Sequence, residues 1–144
     1  MSSSSSTSVV SSFFASPHFL RRVLWADAAS GVGTALLHWE LADVLAPVLG
    51  LPVSLLQWSG LALVGFVLFI SWIASRRTIP AGLVWVLIAA NTVWVLGCVG
   101  LLASSLVAPT TLGIAFLIVQ AVAVGVLAEL EWIGVRKIQP AHAW

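Results

Sequence analysis

The sequence predicts an all-α, membrane-embedded fold: an up-down four-helix bundle with both termini in the cytosol. Two observations lead to this prediction. Hydrophobic residues make up 60% of the 144 residues and charged residues only 8%, whereas about a quarter of the residues in soluble proteins carry charge. After a serine-rich start, prolines divide the chain into four apolar segments, each as long as the roughly 20 residues that a membrane helix needs. This length leaves room for four spans in one domain and excludes an additional soluble catalytic domain.

The N-terminal residues 1–16 are predicted to form a disordered cytosolic tail, because they are rich in serine and low in complexity. They also lack the basic residue that precedes the apolar region of a secretory signal. The transmembrane domain is predicted over residues 17–138, and residues 139–144 form a short cytosolic tail. Each apolar segment begins at a proline, whose missing N–H costs nothing in the first helical turn. The four predicted helices cover about 17–48, 52–75, 80–106 and 109–137.

Six basic side chains act as topology signals and set the predicted orientation. They come in three pairs, at the start of the first helix and at the ends of the second and fourth, so all of them fall on one side of the membrane. The positive-inside rule makes that side cytosolic in a bacterial inner membrane, and tryptophans near the helix ends fit the aromatic belts. The topology signals are Arg21, Arg22, Arg76, Arg77, Arg136 and Lys137.

Several kinds of chemistry are excluded by the composition. The lone Cys98 excludes a disulfide framework, a redox-active cysteine pair and a thiolate metal cluster. His18 and His142 lie outside the apolar parts of the predicted spans, so a bis-histidine haem or metal site within one chain is not expected. We predict no catalytic residue and no cofactor. We also predict no nucleic-acid partner, since the basic residues form no extended stripe. The expected partners are the lipid bilayer and either further copies of the chain or a larger membrane complex.

The first helix carries three polar candidates on one face. Asp27, Thr34 and His38 share this face with Gly31 at 100° per residue, and we expect it to point into the bundle. Asp27 lies about 6 Å past the start of the apolar stretch, which favours an ion pair at the cytosolic boundary over a proton or cation site. Roughly 16 Å of helix separates Asp27 from His38, too far for an acid–base couple. Small residues between them favour a helix-packing seam.

Three more polar candidates lie in the third and fourth helices. Asn91 is expected to hydrogen-bond across the bundle, to Gln120 or to a hydroxyl of the first helix, or else to line a substrate cavity. In the fourth helix, Gln120 and Glu131 share a face while Glu129 projects nearly opposite. Glu131 is interpreted as charge balance for the basic pair at the helix end. Glu129 is the better candidate for contact with a neighbouring helix or a second subunit.

Five stretches of the sequence resemble a group of small bacterial four-span integral membrane proteins of uncharacterised function. They are "LRRVLWADAASG", "LGLPVSLLQWSGLAL", "AANTVWVLG", "APTTLGIAFLIVQA" and "AELEWIGVRK". The resemblance covers about residues 20–137. It implies a fold and a membrane location, and it carries no activity and no functional residue onto this chain.

Two classes of function remain open. The favoured one is a non-catalytic accessory, assembly or membrane-integrity component, whose polar residues serve helix packing. The alternative is a small oligomeric transporter or channel for a proton, an ion or a small solute, using polar residues within the bundle. An enzyme is not expected, because helical spacing brings no acid, base and nucleophile within reach of one another.

Overall fold

The computed structural model describes residues 4–14 and 16–139, and the described chain is all-helical, which confirms the all-α class. Most of the predicted C-terminal tail, from residue 140 onward, lies outside the described residues. The helices are α1 (Ser4–Phe14), α2 (Pro17–Glu40), α3 (Ala42–Leu49), α4 (Val53–Ser75), α5 (Ala81–Ala103) and α6 (Thr111–Ile138). Three of them, α4, α5 and α6, are long and apolar enough to cross a membrane. The bent pair α2 and α3 makes a fourth candidate if the two count as one span.

The helix starts follow the local sequence signals. Ser16 caps α2, with its hydroxyl accepting the backbone N–H of His18 at 3.1 Å. Pro52 and Pro80 immediately precede α4 and α5. A proline is tolerated there because a backbone N–H at the start of a helix has no acceptor within the helix. Thr110 caps α6 by accepting from the N–H of Gly113. The predicted boundaries of the last three helices therefore lie within a few residues of the observed ones.

The prediction of one continuous first helix over 17–48 is wrong. The chain breaks at Leu41 and turns by 90° between α2 and α3. A straight helix of that length would be about 50 Å long, well beyond the roughly 30 Å of a hydrocarbon core. The bend instead lays α3 against α4 and α6, where Ala42, Ala46 and Leu49 are buried. Burial of this apolar stripe is the physical reason for the break.

The N-terminal segment also differs from its prediction as a disordered tail. Ser4–Phe14 forms a helix that contacts α2 and α6. Phe14 packs edge-on against Phe19 with ring centroids 4.8 Å apart, and the Lys137 ammonium lies 5.5 Å from the Phe14 ring. Phe13 and Phe14, which follow the serine-rich stretch, therefore pack this segment against the rest of the chain.

Two helix pairs build the structure: α2 packs along α4, and α5 packs along α6. Contacts between α2 and α6 join the pairs, whereas α4 and α5 make few contacts with each other. The arginines of α2 and the α4–α5 loop meet at one end, where Arg21 donates to the carbonyls of Ala74 and Arg77. One apolar cluster lies near this end and a second lies near α3. The first contains Leu20, Leu24, Ala28, Ile70, Ile73, Ala74, Val84, Leu87 and Val135; the second contains Ala42, Ala46, Leu49, Leu51, Leu56, Cys98 and Leu117.

Candidate functional site

A buried carboxyl pair, Asp27 and Glu131, is bridged by one amide. Asn91 Nδ2 donates to Asp27 Oδ2 at 2.8 Å and to Glu131 Oε2 at 3.2 Å. The three side chains come from α2, α5 and α6 and are 3%, 4% and 0% exposed for Asp27, Asn91 and Glu131. Two acidic side chains at this depth are costly to bury and are a recognised mark of a functional site in a membrane protein.

The helix packing explains why these three groups meet. Asp27 lies ten residues into α2 and Asn91 ten residues into α5, so both are about 15 Å from the start of their helices. Next to Asp27, Gly31 lets α4 approach closely, since a side chain there would lie 2.7 Å from Val67. Gly134 similarly admits Leu20 of α2 against α6. Close packing of neighbouring side chains against these two glycines keeps the helices near enough for the polar groups to hydrogen-bond.

A second polar network surrounds His38 and connects all four long helices. His38 Nδ1 is 2.7 Å from Ser59 Oγ on α4, and His38 Nε2 is 3.2 Å from Gln120 Nε2 on α6. Trp94 Nε1 on α5 donates to Gln120 Oε1 at 3.1 Å. The imidazole also stacks on Trp94, with ring centroids 6.3 Å apart, and lies 5.6 Å from the Phe116 ring.

The hydrogen bonds of this network can be assigned donors and acceptors in only one consistent way. The Ser59 hydroxyl donates to the Leu56 carbonyl at 2.9 Å, so its oxygen is left to accept from His38 Nδ1–H. Nε2 of the neutral imidazole then accepts from the Gln120 amide, whose oxygen accepts from Trp94. Each polar group of the network has a matched partner, and the arrangement selects the Nδ1–H tautomer of His38.

A cavity of about 280 Å³ lies between the two networks. Asp27 and Asn91 form part of its wall, as do Gln120 and Trp94 of the second network. A further cavity of about 410 Å³ lies toward α3 and shares Trp94 and Gln120 with the first. The first cavity is close to the lower end of the roughly 300–1,000 Å³ typical of ligand pockets, which suits a small solute.

The remaining candidates lie in different surroundings. Thr34 is half-buried in the wall of the first cavity, and its hydroxyl donates to the Ser30 carbonyl at 3.0 Å. Glu129 is exposed on the outer side of α6, in a shallow depression of about 330 Å³ shared with Thr92 and Trp132. Asp27, His38 and Asn91 are buried, and Gln120 is half-buried. The structure thus brings all the candidates except Glu129 into the interior between the helices.

Three interpretations of individual polar residues are wrong. Asp27 bonds to Asn91 instead of forming a boundary ion pair, because α2 begins at Pro17 and carries Asp27 well past the helix end. For Asn91 the expected hydrogen bond across the bundle is confirmed but the expected partners are wrong, since it pairs with the two carboxyl groups and not with Gln120 or a hydroxyl of α2. Glu131 is fully buried, so it does not serve as interfacial charge balance for the basic end of α6.

Sequence reasoning missed Glu131 as a member of the site, although a signal was present. Glu131 falls on the same face of α6 as Gln120, eleven residues earlier, and that face points inward. Ser59 was missed as well, and no spacing rule singles it out in an apolar helix. Within the part of the chain that the structure describes, no group of three or more His, Cys, Asp or Glu side chains is placed to hold a metal ion.

In comparisons with known proteins, no protein-family model, curated protein or solved structure matches the chain.

Proposed function

We propose that the chain is a multi-pass protein of the bacterial inner membrane, an up-down bundle of four spans with both termini in the cytosol. The resemblance to small bacterial four-span proteins supports this topology. So does the meeting of Arg21 with the carbonyls of Ala74 and Arg77 at one end of the helices. At the same end, Arg76 and Arg136 lie over the Trp72 and Trp132 rings at 4.3 and 5.0 Å. Basic and tryptophan side chains grouped in this way are typical of a cytosolic interface.

We infer further that the protein is a small transporter for a proton, an ion or a small solute. The observation that carries this proposal is the buried Asp27–Asn91–Glu131 group in and beside the wall of a 280 Å³ cavity. Helix packing alone requires no such pair, since buried ionisable groups destabilise a bundle compared with apolar side chains of similar volume. Carboxyl groups next to a cavity supply the charge that a proton or cation needs in a low-dielectric interior.

Transport is tested with the full chain in liposomes. Lumenal pH and solute content are followed under imposed gradients of inorganic ions, organic cations and neutral solutes. We expect the wild type to carry at least one of them faster than empty liposomes, and Asp27→Asn to abolish that flux. Glu129→Gln is the matched control, because it removes an exposed carboxyl group from the same membrane region. Wild-type flux equal to that of empty liposomes for the whole panel would exclude transport.

A second candidate function is the non-catalytic accessory or assembly component. The His38 network favours it, because each of its nitrogen and oxygen atoms has a hydrogen-bond partner within the chain and helix packing explains the network. Native mass spectrometry of tagged protein, purified in mild detergent from its own host, separates the two functions. A stoichiometric companion protein favours the accessory role, whereas a homo-oligomer without a companion favours transport.

A further inference from the structure

The carboxyl pair has more acceptor atoms than donors. Asn91 Nδ2 has two hydrogens, and it gives one to Asp27 and one to Glu131. Glu131 Oε1 is buried and has no hydrogen-bond partner among the described residues. Because an oxygen of Asp27 and an oxygen of Glu131 contact the same Asn91 nitrogen, the two carboxyl groups lie side by side. Two carboxylates only accept hydrogen bonds and repel each other, so a proton on one of them removes the repulsion and supplies the donor that the pair lacks.

The charged groups on the surrounding helices are engaged elsewhere. Arg21 on α2 bonds to backbone carbonyls at the basic end. On α6, Arg136 lies over Trp132, and Glu129 is on the exposed side. The other titratable groups on these elements are also placed elsewhere. His18 and Glu40 are exposed at the two ends of α2, Cys98 lies in the apolar cluster near α3, and His38 bonds to Ser59 and Gln120. Arg22 and Arg77 are exposed, Arg76 lies over Trp72, and Lys137 lies over Phe14.

The wall of the cavity indicates which ligand would replace that proton. Asp27 supplies a carboxyl group at the wall, and Phe66, Trp94 and Phe116 supply three aromatic side chains. Carboxylate charge combined with aromatic faces is the chemistry that binds organic ammonium ions. A neutral solute would gain nothing from the acidic group, and a strongly hydrated metal ion would gain nothing from the aromatic rings.

We propose that Asp27 and Glu131 hold one proton between them and exchange it for a small organic ammonium ion that enters the cavity. The proton lies on Glu131 Oε1, the buried oxygen without a partner among the described residues, while Asn91 donates to both groups. When the ammonium ion binds, this O–H bond breaks and the proton leaves to water, so the site keeps a net charge of one negative unit. The exchange rests on the proposed transport function, whereas the shared proton does not.

The shared proton is tested by infrared spectroscopy of the full chain in lipid at neutral pH. We expect a protonated-carboxyl band in the wild type and in Glu129→Gln, and its loss in the double variant Asp27→Asn, Glu131→Gln. A wild type without this band would overturn the proposal, and this result needs no variant to fold.

The exchange is tested with tetramethylammonium as the probe, added to purified wild type in weakly buffered solution with a pH indicator. We expect the release of one proton per chain, and no release from Asp27→Asn. No release from the wild type would overturn the exchange, even if other solutes cross the liposome membrane. Proton release without any transport in liposomes would support the site while excluding the proposed function, so the two failures are distinguishable.

Discussion

Gly113, in the first turn of α6, packs directly on the backbone carbonyl of Leu49, the last residue of α3. A methyl group at this position would overlap that carbonyl, and the neighbouring backbone has little freedom to move. Thr110 reinforces the contact: its N–H donates to Leu49 O at 2.9 Å and its hydroxyl to Val48 O at 2.6 Å. The short helix α3 is therefore fixed to the start of α6 through backbone contacts.

We expect Gly113→Ala to lower the stability of the protein by about 2 kcal/mol, because overpacking against backbone forces a shift of α3 or α6. Thermal unfolding in detergent measures this change. Gly100→Ala is the control, since nothing lies within 4 Å of a side chain at that position in α5. Equal melting temperatures for the two variants would contradict the close packing of Gly113.

Asn91→Leu should destabilise the protein by about 3 kcal/mol, because it leaves two buried carboxyl groups without their shared donor. Thr92→Val is the matched control on the next position of α5. The Thr92 hydroxyl is exposed and donates only to the Ile88 carbonyl of its own helix, so its loss should cost less than about 1 kcal/mol. Reversible unfolding followed by circular dichroism compares the two; a small effect at Asn91 would count against the amide bridge.

The contact between His38 and Gln120 can be measured with a double-mutant cycle of His38→Phe and Gln120→Leu. We expect a coupling free energy of about 0.6 to 1.7 kcal/mol, between the average and the largest value found for hydrogen bonds between membrane helices. A second cycle, between His38→Phe and Thr92→Val, serves as the control and should be additive within about 0.5 kcal/mol. Additivity in both cycles would contradict the network.

The direction of the same network predicts that Nδ1 of His38 carries the proton and Nε2 does not. Nitrogen NMR of histidine-labelled protein distinguishes the two tautomers. Replacing His18 and His142 by glutamine leaves the His38 signal alone in the spectrum. Ser59→Ala removes the acceptor of Nδ1–H and should shift the tautomer population. A wild-type signal from Nε2–H would reverse the assigned direction.

The proposed orientation predicts which loops a membrane-impermeant maleimide reaches in intact spheroplasts. In a Cys98→Ala background, Ser105→Cys should react from outside and Thr78→Cys only after lysis; both positions are exposed loop residues. Cys98 is the single cysteine of the sequence, so its replacement leaves no other thiol to react. The opposite labelling pattern would invert the topology.

Most helix boundaries could be predicted from the sequence because local signals set them. Pro52 and Pro80 stand directly before α4 and α5, where proline geometry restricts the backbone. The break at Leu41 could not be predicted, since its neighbours carry no helix-breaking residue. Burial of α3 against α4 and α6, a tertiary effect, produces it.

The candidate site was only partly predictable for a similar reason. Polar side chains in apolar spans single out Asp27, His38 and Asn91, because hydrocarbon makes each of them conspicuous. Which groups meet depends on helix rotation and register. Glu129 and Glu131 differ by two positions and therefore by about 200° around α6, and only the packed structure shows that Glu131 faces Asn91.

Both short helices contact α6: α1 near its C-terminal end and α3 near its N-terminal end. These contacts at the two ends of α6 oppose a shift of α6 along its own axis. A slip of one residue would rotate its side chains by about 100°, which would turn Glu131 away from Asn91 and Gln120 away from His38 together. Two segments that contribute no side chain to either polar network thus help to keep both networks aligned.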